Sequence, residues 1–279
     1  MKVAVTGATG FVGRYVVAAL LARGEKVVAA ARAPNHVFTA DDQLTTVTMD
    51  MAEIDDVFAR LGRPDVLVHL AWGGLPHYGS GAHIENELPR QIAFLDACAR
   101  GGLKRLVVTG TCLEYGMQSG CLDEELATAP TTVYGEAKDR LRAHLQALAT
   151  GGGPELTWLR LFYLCGPGQA PTSLYSQLRA AVASGASQFP MSPGDQQRDF
   201  LPIETASVRL SALALDAPGA GVVNLCSGVP KSVATQVREW LQDWGAELPL
   251  NLGVYPYPAY EPHAFWGSSQ KLNALLGTP

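Results

Sequence analysis

Two kinds of apolar pattern alternate along the chain. Residues 3–5, 26–31, 65–70, 103–109 and 156–162 are short, nearly continuous apolar runs, the signature of strands covered on both faces. Between them, apolar residues recur every three or four positions over 11–23, 54–61, 88–100 and 134–149, which predicts amphipathic helices. In the first of these, Phe11, Val12, Tyr15, Val16, Ala19 and Leu20 share one face, and Gly24 ends the helix. Pro89 falls in the first turn of the third, where a missing N–H costs nothing. Gly101-Gly102 closes that helix, and Gly151-Gly152-Gly153-Pro154 closes the fourth. A strand–helix series of this kind predicts an α/β fold of Rossmann type, a doubly wound parallel sheet with helices on both faces. After Gly166 the pattern loosens and proline becomes frequent. That region is expected to form a smaller substrate lobe over the carboxyl ends of the strands, where open α/β sheets take ligands. The expected division is 1–165 with about 203–228 for the dinucleotide-binding domain, and 166–202 with 229–279 for the lobe.

Composition narrows the picture little. The 279 residues are 47% hydrophobic and 17% charged, with a formal net charge of −5. That acidity argues against a nucleic-acid polymer or an anionic membrane as partner, and no apolar run reaches the roughly 18 residues of a membrane span. Five cysteines (98, 112, 121, 165 and 226) without paired spacing fit reduced thiols in a cytoplasm. The histidines show no metal-ligand spacing, so no metal is expected.

Chemistry enters with Thr6-Gly7-Ala8-Thr9-Gly10-Phe11-Val12-Gly13, between the first strand and the first helix. Gly7 allows a tight turn, Gly10 lets backbone approach a pyrophosphate, and Gly13 lets the helix pack on the strand. The helix N-terminus then offers free N–H groups to the phosphates. Such spacing arises by chance about 0.3 times in a chain this rich in glycine, so its strand–turn–helix context carries the argument. A second signal is Tyr134-Gly-Glu-Ala-Lys138, whose phenol and ammonium share one helical face. An unperturbed phenol titrates near 10 and is a poor proton carrier at neutral pH; a nearby ammonium favours the phenolate. The competing reading is an exposed helix pair of little energetic weight.

With Val107-Val108-Thr109-Gly110-Thr111-Cys112-Leu113-Glu114-Tyr115-Gly116 added, the chain resembles the extended short-chain dehydrogenase/reductases, the NAD-dependent epimerase/dehydratase family that modifies nucleotide sugars. Within it, the chain is most like dTDP-4-keto-6-deoxyhexose reductases. The resemblance implies Thr111, Tyr134 and Lys138 as catalytic residues. It implies cofactor contacts at Gly7, Thr9, Gly10, Phe11 and Val12, and at Asp50 and Met51 beside the adenine. Further cofactor contacts are implied at Leu70, Ala71 and Trp72 at a strand end, at Asn86 ahead of the next helix, and at Thr109 and Phe162. Leu159-Arg160-Leu161-Phe162, Gly166-Pro167-Gly168-Gln169 and Arg198-Asp199-Phe200 resemble later segments of the family, the last on its nucleotide side. A homodimer, paired through the helices at 88–100 and 134–149, is also implied.

Departures from the family refine this. Dehydratases carry Asp and Glu after the threonine, where this chain has Cys112 and Leu113, so 4,6-dehydration is not expected. Tyr163 replaces the family's asparagine. The acidic residue that usually accepts the adenosine ribose hydroxyls is replaced by Ala31-Arg32, and a cation suits a 2′-phosphate. NADP(H) is therefore favoured, with NAD(H) the alternative if Arg32 is merely solvated or stacks on adenine. Cys112 reads as a small buried hydrophobe or, one position out of register, as a proton donor. Trp72, His77, Tyr78, Thr111, Tyr163 and Arg198 are the substrate candidates. For the three aromatics of the 72–78 loop, simple packing on the lobe competes evenly. Glu114 reads as a turn cap, and the tract 255–261 as a packing arm or a sugar-site wall.

Three functions compete: reduction of a keto-sugar nucleotide of 4-keto-6-deoxyhexose type, a nucleotide-sugar 4-epimerase with retained NAD, and a non-catalytic dinucleotide sensor. An intact Thr111/Tyr134/Lys138 set speaks against the sensor, and the absent dehydratase carboxylates favour the reductase.

Overall fold

The computed structural model describes residues 1–33, 38–39 and 41–277. It opens with β1 (Lys2–Thr6), the glycine turn and α1 (Phe11–Ala22), followed by β2 (Lys26–Ala31) parallel to β1. A further strand without a hydrophobic run to announce it, β3 (Leu44–Thr48), pairs with β2 and forms the sheet edge. Its Leu-Thr-Thr-Val-Thr sequence is β-branched but polar, which suits a strand half in water. The helix expected at 54–61 is a single turn, α2 (Val57–Arg60), entered through Asp56 at φ +48°. A residue in the left-handed region cannot continue a helix, so 54–56 stay outside it.

After β4 (Val66–His69) the chain loops into a wide π turn, His83–Glu87, which runs directly into α3 (Leu88–Arg100). Pro89 lies at this junction. Lacking an N–H, it cannot bond back to Glu85, and the wider turn absorbs the defect. β5 (Arg105–Thr111) starts two residues later than its apolar run and ends two later, because its pairing with the neighbouring strand continues through Thr111. The short β6 (Gly120–Leu122) precedes α4 (Val133–Thr150), which Thr132 caps by accepting the Gly135 N–H at 3.0 Å. β7 (Glu155–Leu161) completes this series.

The proline-rich remainder holds more regular structure than its composition suggests. It contains β8 (Tyr163–Cys165), α5 (Leu174–Ala183), β9 (Phe189–Pro190), β10 (Gln197–Pro202), α6 (Ile203–Asp216) and β11 (Gly221–Leu225). β12 (Pro230–Ser232), α7 (Val233–Asp243), β13 (Leu250–Asn251), β14 (Phe265–Gly267) and α8 (Gln270–Leu276) follow.

The main sheet is seven-stranded and wholly parallel, in the order β11-β7-β5-β4-β1-β2-β3. This is the doubly wound α/β fold that the alternating pattern predicts. One face packs its valines and leucines against α1, α6 and α8, the other against α3 and α4. Small sheets β12-β10-β8, β13-β9 and β14-β6 gather beyond it, with a separate apolar cluster formed by α5 and α7. Among the described residues no helix is long and apolar enough to cross a membrane. The carboxyl ends of β1, β4 and β5 come together where the order turns from β1 to β4, the place at which such sheets bind ligands.

Candidate active site

The glycine turn sits at that place. Gly7 has φ +66°, and a Cβ on it would lie 2.9 Å from the Ala71 nitrogen at the end of β4. A Cβ on Gly13 would come within 2.2 Å of the Gly7 carbonyl, so only glycine allows α1 to pack this closely on the turn. Gly10 caps α1 without any side-chain hydrogen bond, and the first turn carries no acidic residue. The N–H groups of Phe11 and Val12 thus head a helix whose positive end no side chain neutralises. From there a cleft runs past Gly7, Thr9 and Gly10, with Arg32, Asp50 and Met51 at one end and Leu70, Ala71 and Trp72 along its side. An anion-accepting helix end, a glycine floor and a long polar cleft suit a dinucleotide. Arg32 closes the end of β2 and is exposed, available to a group in the cleft.

A buried polar chain braces the floor. His69 Nδ1 meets the Thr6 hydroxyl at 2.9 Å and Nε2 meets Gln91 Oε1 at 2.5 Å. Burial, with the Lys138 charge adding to it, lowers the His69 pKa to about 3, so the ring is neutral. The Gln91 amide donates to Glu87, whose carboxylate also accepts the Gly73 N–H at 3.0 Å. Asn86 is not brought in: it lies exposed on the π turn, and its neighbour Glu87 is the side chain aimed at the cleft. The one-residue offset follows from the wide turn, which rotates each position relative to an α-helix.

Tyr134 and Lys138 stand on the buried face of α4, 7% and 2% exposed. Lys138 Nζ donates to the Thr109 carbonyl at 2.8 Å and lies 5.9 Å from the centre of the Tyr134 ring. Burial lowers the Lys138 pKa to about 7 and pushes the Tyr134 phenol well up. The expectation that the ammonium depresses the phenol is therefore reversed, because desolvation by burial dominates. Tyr134 is ringed by Trp72, Tyr78 and His83, with ring centres 5.8, 5.6 and 5.3 Å away.

Thr111 ends β5 and starts a 3-10 turn, Cys112–Tyr115, as its cap. Glu114 is more than the turn cap it reads as in sequence. Fully buried, it accepts from the Thr111 N–H at 2.8 Å, from Trp158 Nε1 at 3.1 Å and from Arg160 Nε at 2.8 Å. Nothing in its sequence neighbourhood signals this, because Trp158 and Arg160 come from β7.

A second pocket of about 250 Å³ opens onto Thr111 and Tyr134, walled by Leu75, Tyr78, Cys112, Leu113, Phe162, Tyr163 and Glu261 among others. Three substrate candidates stand elsewhere. His77 is exposed and contributes its carbonyl to His83 Nε2 at 3.0 Å. Trp72 turns its ring onto Lys138 and lines the dinucleotide cleft instead. Arg198 is 2% exposed, one layer behind Tyr163. Its donors are occupied by the Tyr163 hydroxyl, Glu261 and the carbonyls of Gln197 and His263. The tract 255–261 reaches the pocket, with Tyr260 against Tyr78 at 5.8 Å and Glu261 in the wall. Repeated tyrosines and prolines flanking one glutamate were the available signal.

A parallel sheet with a glycine-rich turn at its switch point, and a Tyr-x-x-x-Lys helix beside it, defines a dinucleotide-dependent enzyme of short-chain dehydrogenase type. The model of the NAD dependent epimerase/dehydratase family matches residues 3–226, and the chain belongs to that family. It is similar to a dTDP-6-deoxy-L-talose 4-dehydrogenase (NAD(+)) of Aggregatibacter actinomycetemcomitans, 30% identical over 273 residues, covering 96% of this chain and 100% of the relative. A dTDP-6-deoxy-L-talose 4-dehydrogenase (NAD(P)(+)) of Kitasatospora kifunensis is 30% identical over 275 residues, 92% of this chain and 83% of its own. Among solved structures, MoeE5 in complex with UDP-glucuronic acid and NAD superposes with a TM-score of 0.83 at 25% identity, covering 100% of this chain and 93% of that one. The protein is thus a nucleotide-sugar-modifying enzyme of an NAD-dependent family, with oxidoreductase relatives.

Proposed function

We propose that the protein reduces the ketone of a 4-keto-6-deoxyhexose nucleotide, foremost a dTDP sugar, using NADPH in preference to NADH. The observation that carries this reading is the pocket in which Thr111 and Tyr134 meet walls that are mostly apolar or aromatic, Gln169 and Glu261 apart, with Cys112 and Leu113 directly after the threonine, where dehydration would need carboxylates. Burial pushes the Cys112 thiol up, so it stays protonated and cannot serve as the base of an elimination. The two talose dehydrogenase relatives support the sugar class and the C4 position.

In this reading the bound nicotinamide supplies the hydride. Tyr134, whose phenol is held protonated, gives its proton to the carbonyl oxygen. Thr111 donates a hydrogen bond to the same oxygen, and its backbone is fixed by Glu114. Lys138 places a positive charge beside the phenolate left behind and holds the nicotinamide ribose. Gly7, Thr9, Gly10, Phe11, Val12, Asp50, Met51, Leu70 and Ala71 bind the dinucleotide, and Arg32 binds its 2′-phosphate. Residues 1–165 with about 203–228 form the dinucleotide side. Residues 166–202 with 229–279 form the substrate lobe, a division supported by β11 joining the main sheet and by the small sheets beyond it.

The test is to incubate the protein with NADPH or NADH and a panel of keto-sugar nucleotides. Cofactor oxidation confined to 4-keto-6-deoxyhexoses supports the reading. Sugar epimerisation with copurifying NAD and no net cofactor turnover replaces it with the 4-epimerase, an activity named for a Corynebacterium glutamicum relative at 27% identity.

A further inference from the structure

Lys138 is a buried ammonium whose carboxylate neighbours, Glu114 and Glu87, act on it through space and not by contact. Its contacts are the Thr109 carbonyl and an aromatic face: Nζ lies 4.0 Å from the centre of the Trp72 ring. Trp72 is itself held. Its indole Nε1 donates to His83 Nδ1 at 3.1 Å, and His83, with no exposed surface, meets the His77 carbonyl with Nε2 at 3.0 Å. An indole N–H is only a donor and a carbonyl only an acceptor. These two bonds together require the neutral tautomer with its proton on Nε2. The π turn delivers His83 to this position, and Gly74 lets the loop close over it, since a Cβ there would sit 3.1 Å from the imidazole Cε1.

We propose that Trp72, locked in place by His83, is a positioning residue for Lys138 that holds its ammonium in place and in the charged form. The physical reason is direct. Removing water from a lysine disfavours its charge, and an indole face restores part of the loss, more so where water is excluded. Tryptophan is the strongest aromatic partner for this purpose. The titratable groups facing the site are Glu114 after β5, Glu87 and His83 in the π turn, His69 on β4, Tyr78 in the loop and Tyr134 on α4. The indole is the group in contact with the ammonium face. The proposal rests on the reading of Lys138 as the partner of Tyr134, and it adds the residues that keep Lys138 fit for that role.

The experiment titrates Lys138 in the full-length protein by NMR of 13Cε-labelled lysine, with Lys138→Arg assigning the signal. Substrate and cofactor are left out. Wild type is expected to titrate near neutrality, where burial places this lysine. Trp72→Leu should lower the midpoint by about one pH unit and Trp72→Phe by less. His83→Leu, which frees the indole, should shift it in the same direction. His83→Asn keeps an acceptor near the Nδ1 position and should return it toward wild type. Thermal melting identifies a variant that has lost its fold; Trp72→Phe then carries the test. A midpoint unmoved in Trp72→Leu, Trp72→Phe and His83→Leu overturns the proposal. If the shifts occur but wild type reduces no keto-sugar nucleotide, the function reading fails and this inference stands. Reduction by wild type with an unmoved midpoint is the opposite case.

Discussion

At Tyr134 the local environment sets the protonation state on which the proposed reduction relies. Burial raises the phenol, so the residue carries its proton through the neutral range and is ready to act as an acid. Tyr134→Phe removes that proton while keeping the ring that packs on Tyr78 and His83. Turnover should fall by roughly 10²–10⁴-fold with dinucleotide affinity close to wild type. Kinetics and a binding titration on the same sample check this, and activity within about threefold of wild type would remove Tyr134 as the acid. Arg32 poses the cofactor question in the same terms. If its guanidinium meets a 2′-phosphate, Arg32→Ala should cost about 1.5–3 kcal/mol, or roughly 10- to 150-fold in NADPH affinity, and leave NADH nearly untouched. Equal losses for the two cofactors, or a wild type that prefers NADH, would move the assignment to NAD.

Elements hold the site together through groups that do not react. His69 at the end of β4 ties β1 to α3 through Thr6 and Gln91, and burial beside the Lys138 charge keeps its ring neutral. Unfolded, it takes up a proton near pH 6.5; folded, only near 3. Between those values the unfolded chain binds more protons, so this group's stability is complete above about 6.5 and is lost as pH falls toward 3. From pH 7 to 5 the loss is about 2 kcal/mol. His69→Asn, which does not titrate, should be less stable at pH 7 yet lose about 2 kcal/mol less than wild type over that interval. Urea denaturation at both pH values measures the difference, and parallel losses would contradict the account.

The same elements explain what was legible in advance. β1, β2, β4, β5 and β7 are buried on both faces, so their apolar runs announce them. β3 is a polar edge, and α2 is cut short by a left-handed Asp56, so periodicity misreads both. Tyr134, Lys138 and the glycine turn are sequence-local motifs and could be read from spacing. Glu114, Glu87 and His83 act through partners distant in sequence or through a π turn that shifts the register, and no local pattern encodes them.

At the scale of the molecule, α3 and α4 pack side by side and are joined by His144 Nε2 and Asp96 at 2.8 Å. Ala143 and Ala147 line the exposed side of α4, a surface small enough for helices of a second copy to approach closely. We propose a twofold homodimer through this pair. Light scattering at micromolar concentration should give twice the chain mass of 29.6 kDa, and a monomer would refute it.

The central claim, that these elements build a reductase of a sugar ketone, is tested most directly by following the hydride. NADPH deuterated on its transferable position is mixed with a dTDP-4-keto-6-deoxyhexose, and the product is examined by mass spectrometry and NMR. The account predicts one deuterium at C4 of the sugar for each cofactor oxidised, with labelled product forming roughly 10²–10⁴-fold more slowly when Tyr134→Phe replaces wild type. A product without deuterium, formed while NADPH remains reduced, would contradict it.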